Sequence, residues 1–388
     1  MKQGTSINPA IISRLRESSV NPDGLHHLDI SNYQAGPKDL KLISDAIRSN
    51  FQTIEVGLAP LISVDLSCNL ICSIIFFLGF IFNYYMCYTG GLDLSMKGQY
   101  DSSGLNDFCK TIILMSKVSR LRKINFSRNI LDNEGFSIIA DLVTSGPSTL
   151  SEVMLRSCNG IPETMSLFTK ELSNDKHLLV LDISDNIIGN EGSQVLGAML
   201  QANHKLKQLN ISNCSIGEEG AICIYQNLEK NQSLEILFMG DNDTGDNATN
   251  SLALMLEANK NLKYLDVQEN RISDVGMGYI SESLLTNKTL SYLGLQWNLI
   301  SNEGAAILGD CLSHNNTLKI LSILGTAIDI QGLEAIIEGS QAANNKPIEI
   351  DIGSMYASMK KGSRPISGTV RPVSASIKTI RRPNSGIK

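Results

Sequence analysis

A 28-residue repeat runs through most of this chain and constrains its fold more than any other feature. A pattern of the type Leu-x-x-Leu-x-Leu, with Ile, Val, Met or Phe often replacing the second or third Leu, recurs eight times; its first step is 29 residues and each later step is 28. The copies begin at Leu121, Leu150, Leu178, Leu206, Leu234, Leu262, Leu290 and Leu318. Self-similarity at a fixed spacing indicates a solenoid, in which each copy buries its apolar face against neighbouring copies.

Each copy combines two hydrophobic periods, which predicts one strand followed by one helix. In the copy that begins at Leu178, Leu181 and Ile183 alternate as residues on one face of a strand do. Leu196 and Leu200 then recur at helical spacing. An Asn or Cys follows each strand, and we expect its side chain to satisfy backbone groups of the turn. These residues are Asn129, Cys158, Asn186, Cys214, Asn242, Asn270 and Asn298, and most are followed six residues later by Gly.

These motifs resemble the leucine-rich repeat family, in its ribonuclease-inhibitor-like subclass of long repeats with a true α-helix. The match is strong from Leu121 to Gly332 and looser over residues 25–32 and 61–69. The resemblance implies an α/β solenoid, a horseshoe with a parallel inner sheet and outer helices. About ten to twelve strand–helix units are expected from the repeat template.

The domain organisation follows from where the repeat begins and ends. We predict a short N-terminal cap over residues 1–24 and a repeat solenoid over residues 25–353. From residue 354 to 388, Ser, Pro, Lys and Arg dominate, so this segment buries too little apolar surface to offset the entropy of ordering. It is therefore predicted to be a disordered basic tail.

Charge is divided unequally between the predicted solenoid and the predicted tail. After Asp351 the chain has no acidic residue but eight basic ones. The rest of the chain holds 25 basic and 39 acidic residues, which gives it a net charge of −14. An acidic solenoid is not expected to bind nucleic acid through its repeats. The unmodified tail is expected to attach to an acidic surface, such as tubulin, RNA, a membrane or the chain's own body.

An Arg-Pro-x-Ser motif occurs three times in the tail. An Arg three residues before a Ser resembles the sites of basophilic protein kinases. Phosphorylation would add roughly −1.5 to −2 charges per site and erase the positive field of the tail. The candidate sites are Ser367, Ser374 and Ser385. The alternative is a solubilising tail in which this spacing arose by chance.

Signal-peptide and cysteine patterns predict a cytoplasmic protein. The first residues lack the basic, apolar and small-residue pattern of a secretory signal. Cys158 and Cys214 replace the repeat Asn, and Cys109, Cys223 and Cys311 fall in helical segments. Buried free thiols in a reducing compartment are the simplest interpretation. Asn-x-Ser/Thr triplets are therefore expected to stay unmodified, for example those at Asn125, Asn210, Asn231, Asn247 and Asn287.

Residues 70–88 do not fit the repeat, and three interpretations stay open. The segment has 19 residues and no charge, which meets the length for a membrane span. It also fits a degenerate repeat in phase, because Leu92 and Leu94 fall on the fourth and sixth positions counted from Thr89. The third interpretation is a gene-model artefact such as a translated intron, since deleting residues 68–95 restores one unbroken repeat.

The alternate strand positions of each copy are expected to face away from the core on the inner wall. In the C-terminal half, apolar and aromatic side chains cluster at these positions with acidic ones beside them. The predicted partner-binding residues are Ile236, Phe238, Tyr264, Tyr292, Trp297, Ile320, Asp182, Asp185, Asp241, Asp266 and Glu269. Exposed aromatics rimmed by charge are typical of interface hot spots. We therefore predict a scaffold that binds a basic or amphipathic segment of a partner protein on the concave face, although solvent-facing positions also vary without function.

No motif indicates catalysis, a cofactor or a metal site. The five His lack zinc-site spacing, and neither a phosphate-binding loop nor a nucleophile elbow occurs. We predict a non-catalytic protein without cofactor. Activators of the Ran GTPase are similar in their long repeats, which implies a small-GTPase regulator as the alternative, although their acidic C-terminal region is replaced here by a basic one. Resemblance to ciliary and centrosomal repeat proteins with basic Ser-rich tails implies a location there.

Overall fold

Short strands and helices alternate along the chain in the order that the repeat predicts. The computed structural model describes residues 27–29, 63–65, 91–93, 98–99, 105–106, 109–110, 112–113, 121–342 and 348–352. The chain forms two compact units, which we call unit 1 (residues 1–237) and unit 2 (residues 238–388). The predicted α/β solenoid of strand–helix copies is confirmed.

Most of the described strands are only three residues long. They are β1 (His27–Asp29), β2 (Ser63–Asp65), β3 (Gly91–Asp93), β4 (Gly98–Gln99), β5 (Lys123–Asn125), β6 (Asn129–Ile130), β7 (Glu152–Met154), β8 (Val180–Asp182), β9 (Gln208–Asn210), β10 (Ile236–Phe238), β11 (Tyr264–Asp266), β12 (Tyr292–Gly294), β13 (Ile320–Ser322) and β14 (Glu349–Asp351). The helices are α1 (Asn133–Ser145), α2 (Pro162–Glu171), α3 (Gly189–Ala202), α4 (Gly217–Leu228), α5 (Gly245–Ala258), α6 (Asp274–Thr286), α7 (Asn302–Leu312) and α8 (Ile330–Ala342). One helix therefore follows each strand from β7 to β13.

Parallel pairing puts equivalent positions of successive copies side by side. In unit 1, β1, β2, β3, β5, β7, β8 and β9 pair in that order, all parallel. In unit 2, β11, β12, β13 and β14 do the same, with Tyr264 opposite Tyr292 and Tyr292 opposite Ile320. A period in the sequence thus becomes a row of like positions across the strands of each unit.

The leucines of the repeat form the core between strands and helices. In the copy that begins at Leu178, that residue, Leu181 and Ile183 are all buried. Leu196 and Leu200 of α3 are buried as well. Since each side chain buries apolar area only against adjoining layers, the predicted two-layer copy is confirmed.

At Asn186, Asn270 and Asn298 the Asn that follows a strand bonds the backbone of two copies, and so satisfies turn groups as predicted. The amide nitrogen of Asn186 donates to the carbonyl oxygens of Leu155 (2.8 Å) and Ile183 (2.9 Å). Its amide oxygen accepts from the backbone N–H groups of Cys158 (3.0 Å) and Gly160 (2.9 Å). Where Cys214 replaces Asn, its thiol donates to the carbonyl of Ile183 (3.4 Å). Buried turn groups are therefore paired across copies.

A second set of buried Asn residues, three positions before a repeat Leu, was not predicted. In each, the amide oxygen accepts from two following backbone N–H groups; Asn203, for example, accepts from Lys205 and Leu206. Its amide nitrogen donates to the carbonyl of Leu172, near the end of the helical segment of the preceding copy. The set comprises Asn203, Asn231, Asn259, Asn287 and Asn315, and its 28-residue spacing was the available signal. Burial of Asn231 and Asn287 supports the expectation that these triplets carry no glycan.

The predicted free thiols are found in the described part of the chain. Cys109, Cys158, Cys214 and Cys311 are buried, whereas Cys223 is half-buried. Burial raises the pKa of Cys158 to about 12, so this thiol stays protonated at neutral pH.

The ends of the chain and residues 70–88 lie outside the described residues, so the predicted cap, tail and apolar segment stay predictions. On either side of the apolar segment, β2 pairs with β3, with Ser63 opposite Gly91 and Val64 opposite Leu92. This is the pairing that an in-phase repeat predicts. Among the helices that are described, none combines the length and the apolarity needed to cross a bilayer.

Candidate functional site

An aromatic row crosses the strands of unit 2. Tyr264 and Tyr292 are paired residues of adjacent parallel strands and are half-buried. Their ring centroids lie 3.8 Å apart with an interplanar angle of 5°, so the two rings stack. The ring of Phe238 lies 4.9 Å from that of Tyr264 at 49°. Parallel strands about 4.8 Å apart place like side chains in contact, and aromatic contacts of this kind stabilise the row. Ile320, the partner of Tyr292, continues it.

The last position of these short strands does not face solvent as predicted. Phe238 is 4% exposed, and the carboxylates of Asp182 and Asp266 are equally hidden. For the two aspartates the reason is a tight turn in which the carboxylate accepts a hydrogen bond from the N–H two residues later, whereas the ring of Phe238 packs against that of Tyr264. Asp182 accepts from Ser184 (3.0 Å) and Asp266 from Gln268 (3.2 Å). Burial raises the pKa of Asp182 despite these bonds. The prediction of an exposed contact at Phe238, Asp182 and Asp266 was therefore wrong.

Three residues after each of these strands, the backbone enters the left-handed region. In unit 2, φ is 55° at Asp241, 51° at Glu269, 56° at Trp297 and 74° at Gly325. Each of the first three donates its N–H to a carbonyl of the next copy, at 2.8 to 2.9 Å. These bonds hold the strained conformation, which costs about 1–2 kcal/mol for a residue with a Cβ. We call Asp241, Glu269 and Trp297 the exposed turn row, because all three side chains are exposed.

Trp297 is the most prominent member of the exposed turn row. Its side chain is 56% exposed. The indole lies over Gly325, where an added Cβ would collide with the indole atoms Cδ2 and Cε3. Glycine at this position therefore lets a large aromatic ring lie flat against the backbone of the next copy.

Two of the five predicted acidic residues, Asp182 and Asp266, are buried, and the other three differ in their partners. Asp185 in unit 1 is ion-paired with Arg156 and accepts hydrogen bonds from Ser157 and Asn213. By contrast, Asp241 and Glu269 are exposed, and neither has a cationic partner among the residues that the structure describes. Only these two, of the five predicted acidic residues, offer carboxylates to another molecule.

Within the described residues, no group of three or more His, Cys, Asp and Glu side chains is arranged to hold a metal ion. The remaining predicted site residue, Ile236, is half-buried at the C-terminal end of unit 1. The candidate binding surface in unit 2 comprises the exposed turn row together with Tyr264 and Tyr292 of the aromatic row.

Comparisons with known proteins agree on the repeat. A sequence model of the family described as "Leucine Rich repeat" matches residues 174–197, 202–224 and 258–281. Over 97 residues the chain is 28% identical to "NACHT, LRR and PYD domains-containing protein 14" of Mus musculus, and the match covers 25% of this chain. It spans 10% of that relative's length.

Two solved structures are similar at low sequence identity. The structure titled "Leiomodin-1 Actin-Binding Site 2" is 20% identical with a TM-score of 0.34, over 39% of this chain and 90% of that one. The TLR13–ssRNA13 complex is 16% identical with a TM-score of 0.45, over 76% of this chain and 40% of that one.

Proposed function

Because the chain is a leucine-rich repeat protein, we propose that it binds another protein through the exposed turn row and the aromatic row of unit 2. Leucine-rich repeat domains generally mediate protein–protein interaction, which is the class of function that the family supports. The ribonuclease-inhibitor-like subclass stays a prediction, as does a location in the cytoplasm, cilium or centrosome.

The observation that carries the proposal is Trp297, an exposed indole in a strained backbone conformation. Asn213, Asp241 and Gly325 occupy equivalent positions, and these residue types adopt positive φ more readily than Trp does. A Trp that is 56% exposed gains little from burial within its own chain. Strained residues that local stability does not explain are often functional, and Trp is among the commonest hot-spot residues.

The chemistry of the surface indicates a basic and partly apolar partner segment. Asp241 and Glu269 precede Trp297 on successive turns, and both carboxylates are exposed. A Lys or Arg side chain of the partner would meet these carboxylates and the indole face, which attracts cations. Tyr264 and Tyr292 add apolar ring surface with polar hydroxyl groups beside them.

The test is co-purification from the source cells with quantitative mass spectrometry. Trp297→Ala is expected to lose a partner that wild type recovers, because truncating a hot spot costs at least about 2 kcal/mol, roughly 30-fold in affinity. Tyr279→Ala is the matched control, since Tyr279 is an aromatic residue of α6 that is 38% exposed. Equal recovery of every protein with Trp297→Ala and wild type would refute the proposal.

A second experiment tests the charge of the partner. Reversal of Asp241 and Glu269 to Lys is expected to abolish recovery, whereas reversal of Glu282 and Glu334, two exposed residues of outer helices, is expected to preserve it. The small-GTPase alternative predicts instead that the purified chain changes GTP hydrolysis by at least one GTPase of a panel. An interaction module without regulatory action leaves every rate unchanged.

A further inference from the structure

We propose that the chain's own basic segment, residues 360–382, docks on the exposed turn row and competes there with the partner. The proposal rests on the proposed function, because it names a second ligand for the same surface. The sequence predicts that the tail attaches to an acidic surface, with the chain's own body among the candidates. The proposed docking place is the set of turns that carry Asp241, Glu269 and Trp297.

The charge of the two regions is complementary and supports docking at these turns. Two acidic turn residues of the described chain are paired with an Arg of the same or a neighbouring copy. Asp243 is bonded to Arg271 (2.9 Å), and Asp185 of unit 1 is bonded to Arg156. Asp241 and Glu269 have no such partner within the described residues. The segment that follows Asp351 carries eight basic residues and no acidic one, so it supplies the complementary charge.

The exit point of the chain is the second argument. β14 is parallel to β13, as β13 is to β12 and β12 to β11. The chain therefore leaves β14 at Ile352 on the same side of the sheet as the C-terminal ends of β11 and β12. Glu269 and Trp297 lie three residues beyond those two strand ends. β12 is two strands from β14 and β11 is three, which amounts to lateral distances of about 10 and 14 Å.

The length of the intervening chain makes this contact attainable. Lys360 follows Ile352 by eight residue steps, and an extended chain of that length spans up to about 26–29 Å. Arg364 and Arg371 follow within the next eleven residues, so several cations lie within reach of the two carboxylates and the indole. A short tether of this kind gives the attached segment an effective concentration in the millimolar range, enough for modest contacts to persist.

The test uses the fluorescence of Trp297, which is the only tryptophan of the chain. In the purified full-length protein, changing Arg364, Arg371, Arg381 and Arg382 to Gln is expected to raise the acrylamide quenching constant and shift emission to the red. The same rise is expected when the turn carboxylates are neutralised as Asp241→Asn with Glu269→Gln. Combining the two sets is expected to give no further rise, because both remove one interaction.

The matched control is Glu282→Gln with Glu334→Gln, which removes the same charge from exposed positions on α6 and α8. It is expected to leave quenching unchanged. An unchanged quenching constant in the Arg variant, or an equal rise in the control, overturns the proposal. Serial dilution is expected to have no effect; a rise on dilution would assign the docking to a second copy and overturn it too. Since no partner is present, failure here leaves the co-purification test untouched.

Discussion

Asn270 illustrates how single side chains hold successive copies together. It is fully buried, and its amide oxygen accepts from the N–H groups of Asn242 (3.1 Å) and Thr244 (3.4 Å). Its amide nitrogen donates to the carbonyls of Met239 and Gln268, each at 2.9 Å. One residue thus satisfies backbone groups of two turns that water does not reach.

Replacing Asn270 by Ala is expected to lower the free energy of unfolding by about 3 kcal/mol or more, because each buried group left unpaired costs about 1–3 kcal/mol. Asn250→Ala, at an exposed position of α5, is the control and is expected to change stability little. Urea denaturation followed by circular dichroism measures both. A loss for Asn270→Ala no larger than for the control would contradict this role.

Asp274 links stability to pH. Burial alone would raise its pKa, but hydrogen bonds from the Ser301 hydroxyl (2.6 Å), the Ser301 N–H (2.8 Å) and the Gly304 N–H (3.0 Å) outweigh burial and lower the pKa. A lowered folded pKa gives stability that is present above the unfolded pKa of about 3.9 and lost as pH falls through the folded value.

Melting temperatures between about pH 6 and pH 3 therefore are expected to fall more steeply for wild type than for Asp274→Asn, which has no proton to take up at this position. Asp241→Asn makes the same substitution at an exposed turn and serves as the comparison. Parallel curves for wild type and Asp274→Asn would show that the carboxylate contributes nothing to acid stability.

The sequence predicts the residues of the core and singles out Asp241, Glu269 and Trp297 as site residues, but it does not predict the strained backbone of these three. The repeat leucines follow a period that the packing of layers imposes, so their burial could be predicted. Positive φ recurs at the same position of successive copies, but the residue type there varies, and Glu269 and Trp297 are residue types that rarely adopt it. The signal was indirect: Asn213, Asp241 and Gly325, which tolerate positive φ, stand at the same position of other copies.

Among the elements, the helix starts of unit 2 explain why Gly recurs in the repeat. The N–H of Gly304 bonds to Asp274 of the preceding helix (3.0 Å). A Cβ there would collide with that same carboxylate and with the side chain of Ile300. Gly276 has the same relation to Asp246. The six-residue spacing from Asn to Gly therefore reflects close contact between adjacent helix starts.

Two glycines of neighbouring helices are expected to respond oppositely to Ala. Gly304→Ala is expected to cost about 1–3 kcal/mol, because the added methyl overlaps its neighbours. Gly278→Ala in α6 is expected to stabilise by about 0.4–1 kcal/mol, since the site is open and Ala restricts the unfolded chain. Denaturant midpoints of both variants provide the measurement. A shift in the same direction for both would contradict the steric argument.

The alternation of strand and helix could be read from the sequence, but the outward side of the strand could not. A period of two assigns Phe238 and Asp266 to the face opposite the leucines, and this is as far as periodicity reaches. The last residue of these strands is nevertheless buried, since Asp266 accepts a hydrogen bond within the turn and Phe238 packs against Tyr264. Asp and Asn at this position accept hydrogen bonds within the turn. In the sequence alone, the same aspartates looked like the charged edge of a binding surface.

On the scale of the whole molecule, the division of charge sets up the proposed competition between tail and partner. Phosphorylation of Ser367, Ser374 and Ser385 would cancel roughly 4.5–6 of the eight positive charges of the tail. Treatment with a basophilic kinase is therefore expected to raise the acrylamide quenching of Trp297, as the Arg variant does. Phosphatase treatment is expected to reverse the rise. A quenching constant that neither enzyme changes would show that phosphorylation of these serines does not control tail docking.

Hydrogen bonds between copies join residues that are close in sequence, and this affects how the number of copies in such a chain can change. The contacts of Asn186 with the preceding copy join residues only 26 to 31 positions apart. In unit 1, Ser63 faces Gly91, and Gly91 faces Lys123. Removing residues 68–95, which number 28, would bring Ser63 opposite Lys123 with like positions still aligned. Transcripts with and without this stretch would thus both encode strands that pair in register. Splicing or recombination could therefore add or remove one whole copy without changes in the other copies.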